Sequence, residues 1–316
     1  MNKKVAIVFI IIAMSYGCSY EAPHPTPPPD RESMIPASQT KITPDLDIYP
    51  VRSETDEYED PVPLPYPVNT AGAEDSAFIT PDGNTLYVWF TPDVSKPVEE
   101  QVTDGVTGIY VFYNVNGNWS NAERVMLQDP GKLALDGCEF IQNNIMLFCT
   151  VREGYTGIHW FSAEFKDGIW WNWQNADFGP TYEVGELHIT ADGTELYFHS
   201  ARPGGHGGFD IWVSENINGE WQPPINVDVV NSPYTDGWPF VSQDGSELWF
   251  SRGNGAPELY RSLRVAGEWS EPEKMFSFFS GESSMDNEGN IYFTHHFYKD
   301  DIMLEADIYF ARRVSP

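Results

Sequence analysis

Gly185-Glu186-Leu187-His188-Ile189 alternates as a half-buried strand does, turns at Asp192-Gly193, and returns as Leu196-Tyr197-Phe198-His199-Ser200. The glycine-rich run Gly204-Gly205-His206-Gly207-Gly208 then leads into Asp210-Ile211-Trp212-Val213-Ser214. A turn at Asn218-Gly219 is followed by Trp221 and by Ile225-Asn226-Val227. Short aromatic and β-branched runs broken by Asp-Gly and Asn-Gly are the strongest local hairpin signal in a sequence. The stretch predicts four antiparallel strands. Such a unit cannot bury both faces alone, so copies are expected.

The copies are present. The second-strand core recurs as Leu86-Tyr87-Val88, Met146-Leu147-Phe148, Leu196-Tyr197-Phe198, Leu248-Trp249-Phe250 and Ile291-Tyr292-Phe293. The third strand recurs from Ile109, Ile158, Ile211, Leu259 and Ile308, at intervals of 49, 53, 48 and 49 residues. A Gly-x-Trp turn follows four of these, at Gly117/Trp119, Gly168/Trp170, Gly219/Trp221 and Gly267/Trp269. A period near fifty with four strands per repeat is that of propeller blades. The expected fold is therefore all-β, a five-bladed β-propeller over residues 61–316. The fifth repeat stops at Ala311-Arg312-Arg313 without a fourth strand, while Val62-Pro63-Leu64-Pro65-Tyr66-Pro67-Val68-Asn69 precedes the first. Residues 62–69 are expected to complete the last blade, at an outer edge where proline is tolerated.

At the other end, Lys3-Lys4 and an apolar run over residues 5–14 have the form of a secretory signal, too short to span a bilayer. Ser15-Tyr16-Gly17-Cys18 resembles a bacterial lipoprotein box, which implies a lipoprotein-type signal over residues 1–18, cut just before Cys18, so that Cys18 becomes N-terminal and acylated. By the same resemblance Ser19 suits outer-membrane sorting in a Gram-negative cell. Residues 19–60 are rich in proline and acid, and are expected to form a flexible, extended tether.

The formal net charge of −29 argues against nucleic acid and against electrostatic binding to anionic bilayers, leaving the lipid as the only membrane contact. It admits cationic partners or a divalent cation, and a monomer is expected; no other cofactor is implied. Besides Cys18 there are only Cys138 and Cys149. A two-residue turn at Asn143-Asn144 sets Phe140 opposite Leu147 and Cys138 opposite Cys149, a register that permits a disulfide in an oxidising compartment.

In a propeller the first strand of each blade lines the central channel. Aligned first-strand starts bring Glu74, Asp75, Asp136, Glu139, Glu186, Asp236 and Glu282 to one mouth. Arg152, Arg202 and Arg252, spaced fifty apart, end the second strands, with His199 and the pair His295-His296 at similar heights. An acidic ring interleaved with a basic ring follows. Three readings stay open. The arginines and carboxylates can simply pair and brace the fold; they can bind a cation, peptide or sugar; or Glu74, Asp75, Glu139, Glu186 and Asp236 can supply the acid and base of glycoside hydrolysis, which needs carboxyls about 5–5.5 Å or 6.5–9.5 Å apart.

The loops say less. The glycine-rich run joins two strands rather than opening a helix, so it is not a phosphate loop. His206 is a weak metal candidate. His295-His296 with Asp300 and Asp301 is a second, in which adjacent strand residues face opposite ways, so one histidine at most serves. The acidic loop over residues 91–107 would rim the mouth, on variable surface suited to partner choice.

Ile79-Thr80-Pro81-Asp82-Gly83-Asn84-Thr85-Leu86-Tyr87, and Ser200-Ala201-Arg202 with Gly208-Phe209-Asp210-Ile211-Trp212, resemble the WD40-like PD40 repeats of TolB-type propellers. The resemblance covers residues 74–311. It implies an envelope propeller that works by contact with proteins or cell-wall glycans, a binding or scaffolding module rather than an enzyme.

Overall fold

The computed structural model describes residues 29–178 and 184–314. Cys18 and residues 19–28 lie outside them. The described chain is strand and turn, with single helical turns at Arg31–Met34 and Val98–Gln101. No described helix is long and apolar enough to cross a membrane.

Each sequence repeat folds as an antiparallel meander. In the third, Leu187–Ile189, Glu195–Ser200 and Asp210–Ile217 pair in order, with Ile225–Asn226 on the outer side of Asp210–Ile217. Asn143 and Asn144 both take positive φ, 52° and 63°, as their two-residue turn needs. The strands form four hydrogen-bonded sheets. Three are single meanders. The fourth has nine strands, because Ala73 of Ala73–Ile79 makes a parallel bridge to Ala306 of Ile302–Ala311. Val62–Pro63 pairs antiparallel with the latter strand, and Leu64 N donates to Ile308 O at 2.8 Å. The core lies between neighbouring sheets, where fully buried Phe90, Phe112, Phe148, Phe198, Trp249 and Phe293 do most of the packing.

Residues 29–60 correct the sequence reading: they are not a free tether. Ser53 bridges to Phe276 and Tyr58 to Arg313, and Val51 and Tyr58 are buried in the core. Arg31 is buried and ion-pairs with Glu74 at 3.0 Å, Lys41 with Glu305 and Asp307, and Glu57 with Arg261 at 2.7 Å. Low apolar content hid this, because the strap docks by ion pairs and a few aromatic anchors.

The disulfide register differs too. Phe140 opposes Leu147, but Cys149 opposes Gly137, since a bulge falls between Gly137 and Phe140. Cys138 sits in that bulge at φ 55°, and the disulfide to Cys149 spans a Cα–Cα distance of 5.4 Å.

Candidate functional site

Bulges decide the site. First strands are irregular between Asp75 and Phe78, Gly137 and Phe140, Gly237 and Phe240, and Gly281 and Ser284. The bulged residues Ser76, Cys138, Trp238 and Glu282 all take φ between 51° and 55°. An inserted residue shifts the in-out alternation of everything before it. The expected single acidic ring is therefore split into levels.

The outer level holds Glu74, Asp136 and Asp236, all fully buried. Glu74 accepts from Arg31 and from Thr70, Asp136 from Arg152 at 2.9 Å and Thr150 at 2.6 Å, and Asp236 from Arg252 at 2.6 Å and Ser232 at 2.7 Å. Each arginine also donates to a main-chain carbonyl, Val68, Leu127 or Val230, and lies over aromatic rings. Arg202 lies likewise over Phe198 and Trp212. This level is bracing. The first repeat has no arginine of its own there; the strap supplies Arg31, which the sequence reading missed.

The inner level faces a cavity of about 50 Å³ on the axis, lined by residues of every repeat, among them Ser76, Cys138, Glu139, Glu186, Trp238 and Glu282. Its floor is a chain of edge-to-face rings, Phe78–Phe140–His188–Phe240, with centroids 5.8, 4.9 and 4.7 Å apart. Burial pushes His188 down to about 3, so it is neutral there. Above the floor Ser76 donates to Glu282, Trp238 Nε1 donates to Glu186 at 3.1 Å, and His296 Nε2 lies 3.4 Å from Asp75 Oδ2. Neither oxygen of buried Glu139 has a hydrogen-bond partner in another residue.

Burial pushes the carboxyls of Glu139 and Glu186 up to about 8, with the charge of Asp75 adding to both, and it drives Glu282 well above its ordinary value. Burial also acts to raise Asp75, but the charge and hydrogen bond of His296 outweigh it and hold that carboxyl below its usual range. His296 in turn is raised to about 9: burial opposes its charge, and Asp75 and Glu282 overcome the burial.

The repeats depart from symmetry at one inner position. Facing Cys149, Ser251 and Thr294 on their second strands stand Gly137, Gly237 and Gly281; facing Trp89 stands Asp75. The glycines make room. A Cβ on Gly137 would meet Trp89 at 3.1 Å, and one on Gly281 would meet Ser251 at 3.0 Å. Only the first of these repeats puts a carboxylate there, next to His296.

The structure parts the pair His295-His296. His295, the candidate ligand-binding residue of the two, is fully buried on the opposite face of its strand, bound to Asp47 of the strap at 2.9 Å, so it does not reach the channel; His296 faces Asp75 and Glu282. His199 accepts from Trp238 N at 3.1 Å and is pushed down to about 4 by burial, a packing residue under the wall. Asp300 and Asp301 sit in an exposed turn, and His206 pairs with Asp228 at the surface, 2.9 Å away.

No family model matches the chain, and no curated protein matches it. Among solved structures it resembles the endo-arabinase from Bacteroides thetaiotaomicron VPI-5482, at 14% identity over 79% of this chain and 96% of that one, with a TM-score of 0.51. A gluconolactonase from Xanthomonas campestris matches at 12% identity over 66% and 65%, TM-score 0.40, and TolB from Acinetobacter baumannii at 11% over 78% and 56%, TM-score 0.42. At these identities the likeness extends to the fold alone, and it supports an all-β propeller scaffold.

Proposed function

We propose that the chain is an exported, lipid-anchored, five-bladed propeller that binds a protein or glycan ligand at the mouth of its channel. The blade count is supported by contacts between first strands, which run from Ala73–Ile79 through Ala134–Gln142, Leu187–Ile189, Asp236–Val241 and Ser280–Met285 back to Ala73–Ile79. On this count the nine-stranded sheet is two blades, and Val62–Pro63 is the outer strand that closes the last one. Export rests on Lys3-Lys4, the apolar run and Cys18. Replacing Cys18 by serine should move the protein from the membrane to the soluble fraction.

The observation that carries the binding reading is the break in symmetry at Asp75. A brace tends to recur between blades, as the outer carboxylate–arginine pair does in three of the five; a site for one ligand has no reason to. Ligands with hydroxyls or cationic groups suit a funnel of four carboxylates with Trp238 in its wall and a sealed aromatic floor. The test is a glycan and peptide array probed with the full chain and with Asp75→Asn. Signals shared equally by both proteins would end the reading.

A second reading, glycoside hydrolysis, is favoured by one fact. Asp75 is held ionised beside carboxyls that stay protonated near neutrality, Glu139 and Glu186, the division of labour between base and acid. Release of reducing ends from a bound glycan, lost in Glu186→Gln with binding kept, would establish the enzyme over the module.

A further inference from the structure

We propose that Asp75, Glu282 and His296 bind a divalent cation of the zinc class at the head of the channel. One ligand atom from each of the three lies within 4.8 Å of the others. The 3.4 Å between Asp75 Oδ2 and His296 Nε2 is long for a charged hydrogen bond, which closes to about 2.7–2.9 Å. It matches the edge, about 3.4 Å, of a tetrahedron whose metal–ligand bonds are about 2.1 Å.

The imidazole is turned the right way. His296 Nδ1 faces the carbonyl of Phe279 at 3.4 Å, and a carbonyl only accepts, so Nδ1 keeps its proton and Nε2, which faces Asp75, is the nitrogen whose proton a metal would displace. That carbonyl belongs to Phe279, at φ 52° directly after Phe278 at φ 38°, conformations unusual for bulky residues. Phe279 is held there by stacking on Tyr298, with centroids 4.5 Å apart.

Beside the triad, Glu139 is only 7% exposed, with neither carboxylate oxygen partnered in another residue, and lines the same cavity as Glu282. Buried carboxylates without donors are rare because desolvation is unfavourable unless a cation or donor compensates. A cation in the funnel supplies the counter-charge for the ionised form of Glu139, which no donor from another residue provides. Imidazole nitrogen with carboxylate oxygen favours Zn²⁺ over Ca²⁺ or Mg²⁺, which take six or more oxygens. Three protein ligands leave a fourth position open to water or to a ligand group. The site stands independently of the binding function proposed above, since a metal can be held whether or not a glycan or protein docks above it.

The test is calorimetric titration of the chelator-stripped full chain with ZnCl₂ and with CaCl₂. One equivalent of Zn²⁺ per chain is expected, at least tenfold tighter than Ca²⁺, with affinity lowered at least tenfold in Glu282→Gln and in His296→Gln and unchanged in His206→Ala. Equal Zn²⁺ affinity in the Glu282 and His296 variants, no saturable binding, or tighter Ca²⁺ binding would each overturn the assignment. Should a variant fail to fold, anomalous diffraction at the zinc edge from wild-type crystals locates the ion directly, and density elsewhere overturns it equally.

Discussion

The outer and inner carboxylates lie within a few residues of each other on the same strands, yet their situations are opposite. Glu74, Asp136 and Asp236 each meet an arginine, and Glu74 and Asp236 also accept from a main-chain N–H. Glu139, Glu186 and Glu282 are gathered around one cavity, and Glu282 meets Asp75 and the imidazole of His296 beside it. A satisfied buried carboxylate adds specificity and order; an unsatisfied one works against the fold and persists where something else requires it. The first level is architecture. The second is the place to look for a ligand.

The largest effect is expected on removing an outer cation. Arg252→Met or Arg31→Met strands a fully buried carboxylate, and should lower unfolding stability by about 3–5 kcal/mol, read from the denaturant midpoint. A loss below about 1 kcal/mol would mean the outer level is as dispensable as an exposed pair. Cys138→Ser, at the inner bulge, should cost about 2–3 kcal/mol, since the disulfide closes a loop with a sequence separation of 11; wild type and variant should melt alike in strong reductant.

Removing an inner charge should do the reverse. With chelator present, Glu139→Gln should stabilise the protein at pH 8 by about 1–3 kcal/mol, and the gain should vanish at pH 4. A carboxyl pushed from its ordinary 4.5 to about 8 on folding holds its proton more tightly in the native state, so its contribution is full below 4.5 and is lost as pH rises to about 8. His296, raised to about 9, acts in the same sense, whereas lowered Asp75 contributes stability that is lost only as pH falls through its own range. Destabilisation by Glu139→Gln at pH 8 would erase the distinction between the levels. The smallest effect is expected at His206→Ala, whose pair with Asp228 is exposed and screened by solvent, so thermal melts of the variant and the wild type should coincide.

The sequence alone determined the repeat, its four strands and its turns, because these are written locally: period-two alternation, Asp-Gly and Asn-Gly pairs, and Gly-x-Trp at a fixed interval. It also placed an acid at the start of each first strand, which is as far as a repeat alignment reaches. Tertiary structure decided which of them face the cavity. In four of the five first strands one bulged residue inverts the alternation on one side of it, which a period-two reading does not register, so Glu74, Asp136 and Asp236 lie at arginines while Glu139 and Glu282 face the cavity. The choice between His295 and His296 was settled the same way, by the face of a strand. The strap was beyond sequence reasoning for a different reason: Arg31, Lys41 and Asp47 find Glu74, Asp307 and His295 across 43, 266 and 248 residues of chain, and contacts at such separation leave no periodic trace.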